Sequence, residues 1–248
     1  VLNGYDSISK VKEMISVLEY LDKNQRYPIR INQNKLIFEN NNHVITALSP
    51  SDYDSYLANK KFMAEVANTP KCFFSASKEN PNHFCIAISI QNKNSGKCIL
   101  LGGDLEVCDN DNSGWTSALS SIKAPSQRSI EVFKVPHHGS DTAYHIDTWE
   151  NYVIKDALAI LTTFSSSALP REEYIEIFKK YTTSLFCTTK PKYALKQVLS
   201  HKSQKILATK NIAITITDVL PKNSFGFVEA THSSGNFSCK LSGDAVKL

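Results

Sequence analysis

The chain has six cysteines but not one CxxC pair among them: Cys72, Cys85, Cys98, Cys108, Cys187 and Cys239 all stand apart. That argues against a zinc-finger framework. Several lie inside apolar runs such as HFCIAISI and KCILLGG, where buried free thiols of a reducing compartment belong, so a cytoplasmic protein is expected. No run approaches the ~18 apolar residues of a membrane span, and no secretory signal pattern is present. There is no dense basic block either. Lys+Arg 28 against Asp+Glu 24 gives a formal net charge of +4, which permits a phosphate-bearing partner without demanding one. Internal repeats and low-complexity tracts are missing. The first residue is Val1 rather than Met, which raises the expectation of a later piece of a longer or cleaved protein.

What is present suits one domain, or one domain with a small appendage: 248 residues, 42% of them hydrophobic. Ser7 reads as an N-cap, and Ile8, Val11, Ile15, Leu18 and Leu21 recur at helical spacing, predicting a helix over 8–23 that ends before Pro28. KLIFEN and VITALSP read as two strands around the turn NNNH. Residues 51–66 have loose helical spacing. FCIAISI (84–90) and KCILLGG (97–103) flank the Asn- and Gly-rich QNKNSG and predict a hairpin of central strands buried on both faces. A short helix is expected near Trp115, a strand over IEVFKVP (130–136) and another over ALAILTTF (157–164). PREEYIEIFKKY (170–181) predicts a helix with Pro170 in its first turn, acids early and lysines late. SLFCTT (184–189) reads as a strand and YALKQVLSHKSQ as a helix. NIAITITDV, FGFVEATH and FSCKLSG read as a terminal antiparallel set, a β appendage over 206–248.

Two predicted strands run into chemically loaded loops. One is LLGGDLE, with Asp104 and Glu106; the other is FKVPHHGSD, with Lys134, His137, His138 and Ser140. Residues just past the carboxyl ends of neighbouring strands converge at one edge of a sheet, where α/β proteins place their sites. A carboxylate with neutral imidazoles is a donor set for Zn²⁺, Mn²⁺ or a similar ion. Ser140 beside a histidine suggests a nucleophile, but no GxSxG elbow or third triad member accompanies it. Lys134 alternates with Phe133 and Val135, so it is read either as a substrate contact or as an edge-strand gatekeeper.

LLGGDLE followed by FKVPHHGSD closely resembles the later half of metallo-β-lactamase-fold hydrolases. The nearest branch is that of competence DNA-uptake proteins of the ComEC type, and NPNHFCIAISI fits the strand that precedes the hairpin there. The tail FGFVEATHSSGNFSCKLSGDAVKL resembles a bacterial group encoded beside proteases in phage-defence loci. The resemblance implies an α/β fold, the αββα sandwich, of which residues 1–248 give mainly the C-terminal half. It implies a cofactor of two divalent metal ions, Zn or Mn. Asp104 matches the bridging carboxylate and His137 or His138 the late metal-binding histidine, with the other facing substrate or orienting the first. Glu106, Lys134 and Ser140 fall where substrate contacts or supports of the metal ligands lie.

The family's principal ligand motif, H-x-[HD]-x-D-H, is absent here. Three readings follow: a companion chain or N-terminal fragment completes the site, the site is degenerate and metal-free, or His43 or His83 substitutes. The expectation is a metal-dependent phosphodiesterase or nuclease acting on DNA or RNA in bacterial defence, activated by proteolytic cleavage. Its partners would be the completing fragment, nucleic acid and a protease, with no membrane and with self-association in view. The rival readings are an inactive scaffold or sensor, and a hydrolase of a small ester or phosphodiester.

Overall fold

Strands predicted from apolar alternation around residues 98–101 and 130–134 are neighbours in space. The computed structural model describes residues 9–68, 81–122, 129–191, 225–233 and 235–248. The strands are β1 (Leu36–Glu39), β2 (His43–Ala47), β3 (Ile88–Asn92), β4 (Cys98–Leu101), β5 (Ile130–Lys134), β6 (Val153–Leu161), β7 (Leu185–Cys187), β8 (Gly226–Ser233), β9 (Asn236–Gly243) and β10 (Val246–Lys247). The helices are α1 (Ser9–Lys23), α2 (Asp52–Asn68), α3 (Gly114–Ser120) and α4 (Glu172–Phe178). Eight strands form one sheet in the order β1-β2-β3-β4-β5-β6-β7-β10, and β8 and β9 form a separate ribbon. β1 to β4 pair antiparallel, β4 to β7 run parallel, and β10 closes antiparallel on β7. The fold is α/β, as the sequence led one to expect.

The parallel block fixes where the chemistry goes. Leu100, Phe133, Ala159 and Leu185 stand in register across β4–β7 and are all buried. Trp115 of α3 meets Phe133 edge-on with centroids 6.1 Å apart, and Trp149 meets it at 5.1 Å. Trp149 then stacks on Phe178 of α4 at 5.2 Å. Each such side chain removed from water contributes about 1.5–3 kcal/mol, so this layer holds the parallel strand ends rigidly.

Four expectations are corrected. β3 and β4 are not buried on both faces: β4 alternates buried and half-buried residues, and β3 is half-buried throughout. β6 begins at Val153, before the apolar run. Lys155 and Asp156 precede that run within the strand, and Asp156 sits at φ +64° where the pairing with β5 shifts register. Pro170 precedes the helix instead of opening it, since α4 starts at Glu172. Lys134 is no edge gatekeeper, because β5 lies between β4 and β6. Ser7, Pro125, YALKQVLSHKSQ and NIAITITDV lie outside the described residues. No helix among the described residues is long and apolar enough to cross a membrane.

The described cysteines Cys85, Cys98, Cys108, Cys187 and Cys239 are free. Burial pushes the Cys98 thiol up to about 12 and the Cys187 thiol up to about 11. The thiolate is the reactive form. Titration of the native protein with a thiol reagent at neutral to mildly alkaline pH is therefore expected to leave these two unlabelled until denaturant is added. Rapid native labelling of either would contradict this burial.

Candidate functional site

β4 and β5 end side by side, and their exits are tied together. Gly102 N–H donates to the Lys134 carbonyl at 3.1 Å, and His137 N–H donates to the Gly103 carbonyl at 3.1 Å. The loops touch closely enough that a Cβ on Gly102 would lie 2.9 Å from the Pro136 side chain. The chain therefore delivers Asp104 and Glu106 from one exit and His137 and His138 from the next.

The second exit turns left-handed. His137, His138 and Gly139 have φ of +38°, +55° and +69°. Gly139 N–H donates to the Pro136 carbonyl at 2.9 Å, and Ser140 N–H donates to that of His137 at 3.0 Å. This single left-handed turn costs about 1–2 kcal/mol per residue with a Cβ. Strain of this kind persists where surrounding contacts impose it, and it clusters at functional sites. Here it throws two successive imidazoles apart, with ring centroids 6.3 Å from each other.

His137 faces Glu106. Its Nδ1 lies 2.7 Å from Glu106 Oε1, 3.0 Å from Ser140 Oγ and 3.1 Å from Thr142 Oγ1. Its Nε2 lies 3.2 Å from Asn82 Nδ2, which also donates to Glu106 Oε1 at 3.0 Å. Nδ1 hydrogen-bonds Ser140 and Thr142 with the Glu106 carboxylate close beside it, and Nε2 accepts from Asn82, so both ring nitrogens are used within the protein; this tautomer is assigned from the network. Glu106 is only 5% exposed, and His83 Nε2 approaches its Oε2 at 3.8 Å. Ser140 is likewise buried, at 3%. Glu106 and Ser140, expected to contact substrate, are instead turned into the protein, where they hold the histidine turn.

His138 faces outward. Thr162, just past β6, has its Oγ1 2.8 Å from His138 Nδ1, which directs Nε2 toward Asp104, whose Oδ1 is 4.0 Å away. Phe164 stacks on the His138 ring at 5.1 Å. Burial lowers the pKa of His138, an effect opposed by the Asp104 carboxylate. The ring is thus held neutral, with an Nε2 lone pair for a cation or a proton. Lys134 donates from Nζ to the Val135 carbonyl at 2.7 Å; burial pushes its ammonium below the ordinary value, and Asp104 opposes that shift.

Of the predicted residues, the structure brings Asp104 and His138 together at the open edge. It joins His137, about as exposed as His138, to the buried Glu106 and Ser140. Asn82, Thr142, Thr162 and Phe164 were not singled out from sequence. Asn82 falls within the stretch NPNHFCIAISI, Thr142 lies five residues after His137 in the same loop, and Thr162 and Phe164 follow β6, which the sheet order brings near.

Asp104 and His138 are two donors, and Zn²⁺ takes four ligands. Among the described residues no group of three or more His, Cys, Asp and Glu side chains could hold a metal ion. The described residues alone thus do not make a metal centre, and His43, in β2, does not join the pair. No family model, no curated protein and no solved structure matches the chain. The chain is an α/β protein with an oriented Asp–His pair at the carboxyl edge of a parallel strand block, and the functional reading rests on that geometry.

Proposed function

We propose that the chain is part of a metal-dependent phosphodiesterase acting on DNA or RNA, with Asp104 and His138 as its share of the donors. The observation that carries this reading is the 4.0 Å approach of His138 Nε2 to Asp104 Oδ1, with Nδ1 tied to Thr162. A metal-ligating histidine characteristically has its other nitrogen hydrogen-bonded, which fixes the ring. Ions bound there would supply activated water and offset charge on a phosphoryl group. The remaining donors would come from outside the described residues, a companion segment among them. Asp104 and His138 bind, Thr162 orients His138, and the Glu106–His137–Asn82 group holds the turn that presents it. Phe164, 45% exposed, is a ring at the margin on which a base could stack.

The finer fold reading, the αββα sandwich, has support in the second face of the sheet. Phe38, Ile45, Ile90, Ile99, Val132 and Leu158 stand in register there across six strands. A sheet apolar on both faces belongs between two layers.

The test is cleavage of labelled single- and double-stranded DNA and RNA by the complete protein with Mn²⁺ or Zn²⁺. Asp104→Ala and His138→Ala are each expected to lose about a hundredfold or more in rate, and Thr162→Val about tenfold. Cleavage unchanged in both Asp104→Ala and His138→Ala would sink the reading.

A further inference from the structure

We infer that a second site, unconnected to the Asp–His edge, takes an uncharged nucleobase or nucleoside. A cavity of about 580 Å³ opens on the core-facing side of the sheet, lined by Asn34, Thr46, Leu48, Ser89, Gln91, Cys98, Ser121, Ile122 and Ser129. Pockets for small ligands run to about 300–1,000 Å³.

Its chemistry is out of place for a core. The register row Thr46, Ser89, Leu100, Phe133, Ala159, Leu185 crosses six strands on one face. From β4 onward the row is apolar and buried. On β2 and β3 it becomes two hydroxyls, and the next residue of β3 on that face is Gln91, an amide. The polarity changes where the cavity begins. Packing alone would put Val or Ile at those strand positions.

The lining selects the ligand class. None of these described residues is charged, so they offer a phosphate or carboxylate no compensating charge. Asn34 and Gln91 each offer an amide with both donor and acceptor, the pattern that matches the edge of a base. Leu48 and Ile122 supply apolar surface for a flat ring.

The inference does not rest on the hydrolase reading, and its test needs no cleavage. Adenosine, guanosine, cytidine and uridine, with glucose for comparison, are titrated into the full chain by saturation-transfer NMR and calorimetry. At least one nucleoside is expected to bind at millimolar concentration or below. Ser89→Leu and Gln91→Leu should each weaken that binding about tenfold while the thermal midpoint holds or rises. The matching nucleoside monophosphate should bind no more tightly. The inference is overturned if no nucleoside binds at roughly 5 mM, if glucose binds as well, if the monophosphate binds tenfold tighter, or if both leucine variants bind like the parent.

Discussion

Replacing Glu106 with alanine is expected to cost about 1–3 kcal/mol of folding stability, the range for leaving a buried hydrogen-bonding group without its partner. Glu106 is 5% exposed; its carboxylate accepts from Asn82 Nδ2 at 3.0 Å and lies 2.7 Å from His137 Nδ1. Without it, Asn82 loses an acceptor and His137 a neighbouring charge. Glu106→Gln retains an acceptor of the same shape and should recover more than half of the loss. Urea unfolding of the three proteins measures this directly. A loss under about 1 kcal/mol in Glu106→Ala would mean that the carboxylate does not hold the turn.

Gly139→Ala is expected to lose on the order of 3 kcal/mol, and to lose function with it. Gly139 has φ +69°, and a Cβ there would lie 2.5 Å from Leu161 Cδ2 and 3.2 Å from Phe178 Cε2. The left-handed backbone costs an alanine about 1–2 kcal/mol, and forcing a methyl against packed side chains adds about 1–3. Leu161 and Phe178 are both fully buried, so the turn has to move instead, and His138 moves with it. The informative comparison is Gly139→Ala with Leu161→Ala added. Removing the obstructing side chain should restore the position of His138, read from its NMR titration, although the Leu161 cavity costs stability of its own. A Gly139→Ala protein as stable as the parent would contradict the packing described around the turn.

Much of the working edge was legible in the sequence because it depends on local pattern. LLGGD and FKVPHH each show an apolar run breaking into polar residues, which marks a strand end. That two such ends belong together follows from the parallel order of β4 and β5. The different surroundings of His137 and His138 were not legible. They are set by the left-handed turn, by Thr142 in the same loop, and by Asn82 and Thr162, which come from two other segments. That Glu106 turns into the protein was not legible for the same reason: two residues from Asp104 it has the same local character, and only burial separates the two. The early start of β6 was hidden because Lys155 and Asp156 break the apolar pattern while the backbone stays paired. β10 is two residues long, which is below what periodicity can detect, and its pairing with β7 closes the sheet.

The orientation of the two histidines divides the labour at this edge. His137 spends both nitrogens within the protein, so its loss should read as a loss of stability. His138 spends one on Thr162 and leaves the other facing Asp104, so its loss should read as a loss of binding. Exchange of those two outcomes between the variants would reverse the assignment made here for the pair.

The measurement that bears most directly on this account is metal content per chain. It is made by elemental mass spectrometry on the protein purified together with any polypeptide that accompanies it, alongside Asp104→Ala, His138→Ala and His137→Ala. The account predicts about two equivalents of Zn or Mn, reduced in the Asp104 and His138 variants and retained in His137→Ala as long as that variant stays folded. Metal content that is the same in all four proteins, or no metal in any of them after reloading, would contradict it.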